Sequence, residues 1–75
     1  MVKTSISAAN RAIARQNIPL ELVRGDGYHY FIYDVPHRGI FETVSIYVPY
    51  TNTYKASEWA EQAYYVWQNM KKNLV

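Results

Sequence analysis

Cysteine is absent from this chain of 75 residues. Small secreted domains usually supplement a small hydrophobic core with disulfides, so this absence favours a reducing compartment such as the cytoplasm. Long apolar runs are also missing, whereas a membrane-spanning helix needs about 20 apolar residues in succession. The first ten residues carry one lysine and no apolar run, which is not the pattern of a signal peptide. We therefore expect a cytoplasmic protein with no membrane partner.

A large excess of charge of either sign is absent as well. Eight basic and six acidic side chains give a formal net charge of +2, too little to indicate nucleic-acid binding by itself and too basic for a mimic of DNA. The basic side chains of the first third are Lys3, Arg11, Arg15 and Arg24. These four are the candidate phosphate contacts if the chain binds nucleic acid, and the first helix is then its basic face.

Aromatic side chains are abundant: eight tyrosines stand beside two tryptophans and two phenylalanines. Tyrosine combines an apolar ring with a polar hydroxyl, so it suits the boundary between a core and a partner. A small domain also has many boundary positions of its own. The excess of tyrosine therefore fits either an ordinary core rim or a contact surface.

The hydrophobic periodicity predicts one domain over residues 1–75, with the element order α-β-β-β-α. The predicted helices are 5–17 and 54–72, and the predicted strands are 20–24, 28–34 and 41–48. A tight loop of Gly25, Asp26 and Gly27 joins the first two strands. The fold class is then α+β, a three-stranded antiparallel meander with two helices on one face, because one sheet face and two apolar helical stripes suffice for two layers.

The second predicted strand is apolar or aromatic on both of its faces. One set of alternating side chains, which we assign to the core, is Tyr28, Tyr30 and Ile32. The other set, which we assign with a tyrosine of the third strand to an exposed partner-binding patch, is His29, Phe31, Tyr33 and Tyr47. Exchanging the two sets changes which rings are exposed, but one face still needs cover from outside the chain.

Three kinds of cover are open. A protein partner could use the tyrosines as anchors, a second copy could form a homodimer by packing sheet on sheet, and nucleic-acid bases could stack on the rings. Stacking on bases calls for basic side chains beside the rings, and only Arg24 and Arg38, both at turns, are candidates. A protein partner therefore ranks first, nucleic acid second, and a structural role in a virion or scaffold third.

No catalytic constellation is visible, so we expect no enzyme activity, no cofactor and no metal. The serines have no histidine in a nucleophile motif, and there is no glycine-rich phosphate loop. The spacing of His29, Asp34 and His37 fits no zinc pattern. Glu58 and Glu61 lie near the start of the second helix, where the helix dipole favours carboxylates without any chemistry.

The segments LELVRGDGYHYFIYD and SIYVPYTN, followed by a helix with an early tryptophan, Trp59, resemble short proteins encoded by bacteriophages and prophages. The resemblance covers residues 20–59, and its motifs are structural ones: a hairpin, a strand and a helix start. It implies a phage product that works in the bacterial cytoplasm on a host or phage protein, with inhibition of a host defence such as CRISPR interference among its roles. It transfers no catalytic residue.

The order α-β-β-β-α is also similar to that of double-stranded RNA-binding domains. Those domains carry a lysine-rich cluster at the start of the last helix, whereas this chain has Lys55 followed by Glu58 and Glu61. This departure weakens the implied role in RNA binding.

Overall fold

The computed structural model describes residues 3–74, with the side chains of residues 3–73, and contains two helices and one antiparallel sheet. The elements are α1 (Ile6–Arg15), β1 (Glu21–Arg24), β2 (His29–Val35), β3 (Ile40–Ile46) and α2 (Ala56–Leu74). Short 3-10 turns precede β3 and α2, at Pro36–Arg38 and Thr51–Thr53. The strand order is β1-β2-β3, so the predicted element order and the α+β class are confirmed.

Both ends of α1 follow from local chemistry. The Ser5 hydroxyl oxygen accepts a hydrogen bond from the Ala8 N–H at 3.0 Å and so satisfies one of the unpaired donors of the first turn. Beyond the other end, Asn17 has a φ of 56°, a left-handed conformation that asparagine tolerates better than most residues, and Pro19 prevents the helix from continuing.

The core lies between the sheet and the two helices, which pack on the same side of it. Its buried apolar residues are Ala9, Ile13, Ile18, Leu20, Leu22, Phe31, Trp59, Ala60, Ala63 and Met70. One of the two predicted apolar helical stripes runs along α2, and each of its members is buried or half-buried. The stripe comprises Ala56, Trp59, Ala60, Ala63, Val66, Trp67 and Met70.

Trp59 is the largest fully buried side chain of the core, with no exposed surface. Its ring meets Phe31 and Tyr54 edge to face, with centroid distances of 6.2 and 4.9 Å, a favoured geometry for aromatic pairs. Its indole N–H donates to the Thr51 carbonyl oxygen at 2.9 Å. Trp59 therefore joins α2, β2 and the loop before α2 in one contact.

Glu58 is one of the two carboxylates near the start of α2, and the structure shows its local role. A Glu58 carboxylate oxygen accepts from the Lys55 backbone N–H at 2.9 Å. This is the reciprocal half of a capping box, in which the third residue of a helix reaches back to the capping residue. Glu58 therefore has a structural role at the helix start.

The pairing of β1 with β2 corrects the predicted faces of the sheet. The predicted strands left a loop of three residues, which places Arg24 opposite Tyr28. In the structure Arg24 lies opposite His29, and the loop has four residues, 25–28. A shift of one residue turns every side chain to the other face. The placement of His29 and Phe31 on an exposed patch is therefore wrong: both have no exposed surface.

Tyr33, on the same face of β2, is half-buried rather than free. Its ring lies 5.0 Å from the Trp67 ring between centroids, and Lys71 Nζ is 5.8 Å from the centroid of that tryptophan. Tyr33 therefore belongs to the rim of the core under α2.

Replacing Trp59 with phenylalanine tests the role of its indole. We expect Trp59→Phe to lower the free energy of unfolding by about 1–3 kcal/mol, because the Thr51 carbonyl loses its donor and part of the site becomes a cavity. Urea unfolding followed by far-UV circular dichroism measures this. Tyr64→Phe, at a half-exposed position of α2, is the control, and coincident unfolding curves for the two variants would contradict the assignment.

Candidate functional site

The side of the sheet opposite the helices carries the candidate site, and we call it the open face. Strand alternation and the observed register place the following residues on it. They are Glu21, Val23, Tyr28, Tyr30, Ile32, Asp34, Phe41, Thr43, Ser45 and Tyr47. Neither helix contributes to this face, so its rings are available to a partner.

Three tyrosines cluster at one end of the open face. The Tyr28 ring lies 5.8 Å from that of Tyr30 and 6.5 Å from that of Tyr47, with tilts of 32° and 33°. Tyr47 is 86% exposed, whereas Tyr28 and Tyr30 are half-buried by each other and by the sheet. The cluster is an apolar platform with hydroxyl groups, which is the surface chemistry of aromatic anchors in protein interfaces.

The hairpin loop sets the position of this platform. The Gly25 N–H donates to the Tyr28 carbonyl oxygen at 2.8 Å. A Cβ atom at position 25 would lie 2.7 Å from two ring atoms of Tyr28, closer than real Cβ contacts allow. Glycine at position 25 therefore lets the Tyr28 ring fold over the loop.

The other end of the open face is acidic. Ile32 and Phe41, the latter 63% exposed, form the apolar part of a shallow groove of about 340 Å³, which Glu21 and Asp34 also line. Among the strand positions of the open face, from residue 21 to residue 45, none holds lysine or arginine. Nucleic-acid phosphates would meet carboxylates here, so the charge of this face favours a protein partner.

His29, predicted to bind a partner, instead holds the chain before α2. Its Nδ1 lies 2.8 Å from the Val48 carbonyl oxygen, and its Nε2 lies 2.8 Å from the Thr51 hydroxyl oxygen. Since a carbonyl oxygen can only accept, Nδ1 carries a proton and donates. The imidazole also lies 5.1 Å from the Trp59 ring between centroids. Both ring nitrogens are thus satisfied inside the core, which makes His29 a structural residue.

The four predicted partner-binding residues therefore do not lie on one face of the sheet. Tyr47 lies on the open face, whereas His29, Phe31 and Tyr33 point toward the helices. The open-face rings that the sequence interpretation assigned to the core are Tyr28 and Tyr30. A hairpin loop of four residues, instead of three, shifts the register of β2 by one and so places these two rings on the open face.

Of the four basic residues of the nucleic-acid alternative, two line a common groove. Lys3 and Arg24 line one groove of about 230 Å³ at the start of α1, together with Tyr50. Arg15 lines a separate groove between α1 and α2. Arg11 is exposed on α1 and lines neither of these grooves.

The described residues offer neither a metal site nor a membrane-spanning helix. Within residues 3–74, no group of three or more histidine, cysteine, aspartate or glutamate side chains is placed to hold a metal ion. Over the same range, neither helix combines the length and the apolar character that crossing a membrane requires.

Comparison of the chain with protein-family models, with curated proteins and with solved structures finds no match. The resemblance to short phage proteins therefore rests on the quoted segments alone and stays a prediction.

A double substitution tests the packing of Tyr28 on the loop. We expect Gly25→Ala to lower the free energy of unfolding by about 0.5–1.5 kcal/mol, because the half-buried Tyr28 ring must turn out of its place over the loop. In a Tyr28→Ala background the same change should cost much less, since the obstructing ring is gone. Urea unfolding of the four proteins measures the difference, and an equal cost in both backgrounds would contradict the contact.

Proposed function

We propose that the protein is a small binding module whose open face engages another protein. The observation that carries this proposal is the tyrosine platform around Tyr47, on the side of the sheet that the helices leave bare. Exposed aromatic rings beside polar groups are typical of the anchors that dominate protein interfaces.

The charges of the open face support a protein partner over nucleic acid. Glu21 and Asp34 flank the groove beside Phe41, and carboxylates attract lysine and arginine side chains of a protein surface. Lys3 and Arg24 line a different groove from Arg15, and neither groove lies on the open face, so these cations do not stand beside its rings.

The resemblance to phage proteins supports a more specific role. On this proposal the chain is a phage or prophage product that acts in the bacterial cytoplasm and inhibits a host defence protein, CRISPR interference being the first candidate. Inhibition of this kind requires tight binding at a functional surface and no catalytic group. A chain that offers an exposed aromatic face suits such a role.

Substitution of Tyr47 tests the binding role. We expect Tyr47→Ala to weaken partner binding tenfold or more, the effect of losing an interface anchor, and to leave the free energy of unfolding within about 0.5 kcal/mol of the parent, as for other exposed positions. Tagged parent and variant are compared by capture from a bacterial lysate and quantitative mass spectrometry.

The matched control is Tyr64→Ala, which removes a tyrosine that is 50% exposed on α2. The proposal requires proteins that the parent and Tyr64→Ala retain and Tyr47→Ala loses. Equal retention by all three chains would contradict a binding role for the open face.

A plaque assay tests the proposed anti-defence role. In a bacterium whose CRISPR system targets an infecting phage, expression of the parent chain should raise the plating efficiency of that phage. Expression of Tyr47→Ala should not, because the inhibitor then lacks its anchor. Unchanged plating with the parent chain would contradict anti-CRISPR activity against the system tested.

A further inference from the structure

The two edges of the sheet differ, and the first is capped at Leu22. The Asn10 side chain on α1 makes two hydrogen bonds to the outer edge of β1. Its amide N–H donates to the Leu22 carbonyl oxygen at 3.0 Å, and its carbonyl oxygen accepts from the Leu22 N–H at 2.7 Å. For the backbone groups of Leu22, Asn10 therefore takes the place of a neighbouring strand.

The second edge, on β3, is open. The backbone N–H and C=O of Leu22 face outward, toward Asn10. Leu22 is therefore not hydrogen-bonded to Phe31, the residue opposite it on β2, and the backbone groups of Phe31 point the other way and pair with Val44 of β3. Alternation then turns the N–H and C=O groups of Phe41, Thr43 and Ser45 toward the outer edge. In the part of the chain that the structure describes, no strand lies beyond β3, and no bond to these groups is found.

Proteins usually blunt such an edge with charged side chains, above all lysine, with proline, with a bulge, with an inward-pointing charge or with a very short strand. β3 is seven residues long, contains neither lysine nor proline, and pairs with β2 in an unbroken register; its one charged side chain is Glu42, which is exposed on the helix side of the strand. We propose that this edge pairs with β3 of a second copy of the chain, antiparallel about a twofold axis at Thr43, to give a continuous six-stranded sheet. This proposal does not depend on the proposed function.

The sequence of β3 favours this register over its neighbours. When the twofold axis passes through Thr43, all seven residues of β3 pair with the second copy. Ile40 then lies opposite the partner's Ile46, and Glu42 lies opposite the partner's Val44. Centring on Glu42 would set two carboxylates directly opposite each other, which is destabilising. Centring on Val44 would need residues 47 and 48 in the ladder, where the Val48 N–H instead donates to the Ile46 carbonyl oxygen at 2.9 Å and turns the chain.

The same register is favourable on the open face. Thr43 lies opposite the partner's Thr43, and such cross-strand threonine pairs are stabilising. Phe41, which is 63% exposed, lies diagonal to the partner's Tyr47, within the reach of aromatic side chains. The three outward pairs would exchange about six backbone hydrogen bonds. Two open faces would then join into one surface of twice the width.

Single cysteines test the pairing, because the chain has none of its own. In the proposed dimer Thr43 is a hydrogen-bonded pair with its symmetry mate, at a Cα separation of about 5.5 Å, which a disulfide can span. Ser45 lies opposite the partner's Phe41, so two copies of position 45 stand four residues apart along the ladder, about 14 Å. A disulfide cannot span that distance.

We expect Thr43→Cys to form a covalent dimer under mild oxidation and Ser45→Cys, equally exposed, to remain mostly monomeric. Non-reducing electrophoresis measures the ratio, and light scattering of the parent chain should give the mass of a dimer. A monomeric mass for the parent, or equal cross-linking of the two variants, would overturn the proposal. Capture by the Tyr47 and Tyr64 variants reports on partner binding separately, so either proposal can fail alone.

Discussion

The hydrogen-bonded contact among Trp59, His29 and Thr51 is the constraint from which the arrangement of the sheet follows. Trp59 donates to the Thr51 carbonyl oxygen, and the Thr51 hydroxyl meets Nε2 of His29. With Nδ1 of His29 bound to the Val48 carbonyl oxygen, a polar side chain of β2 is satisfied within the core. A buried histidine without these partners would be costly. The network therefore fixes which face of β2 turns inward and where α2 begins.

Much of the backbone architecture could be predicted from the sequence because it depends on local signals. Ser5 caps α1, Asn17 adopts the left-handed conformation after it, and the apolar stripe of α2 gives its inward face. Such signals act through neighbours in the chain or through one period of a helix. The bounds of the helices and strands differ from the predicted ones by up to two residues at each end, with little effect on the order of the elements.

The candidate site was only partly predictable, because its identity depends on a register. The apolar alternation on both faces of β2 correctly indicated that rings would remain outside the core, and Tyr47, assigned to the exposed patch from the third predicted strand, is exposed. Which rings these are depends on whether the hairpin loop has three or four residues. No local pattern reveals that His29 bonds to residues 19 and 22 positions away. Long-range hydrogen bonds of this kind turned Tyr28 and Tyr30 outward.

We propose that the exposed tyrosines of the open face, part of the aromatic excess in the composition, form the partner-binding surface. Oxidative footprinting of tyrosines, on the free chain and on the chain captured with its partner, tests this claim most directly. Tyr47 should react readily in the free chain and become protected in the complex, while Tyr64 and Tyr65 on α2 react equally in both. Protection of Tyr64 and Tyr65 with Tyr47 unchanged would place the interface on the helices and contradict the assignment of the open face.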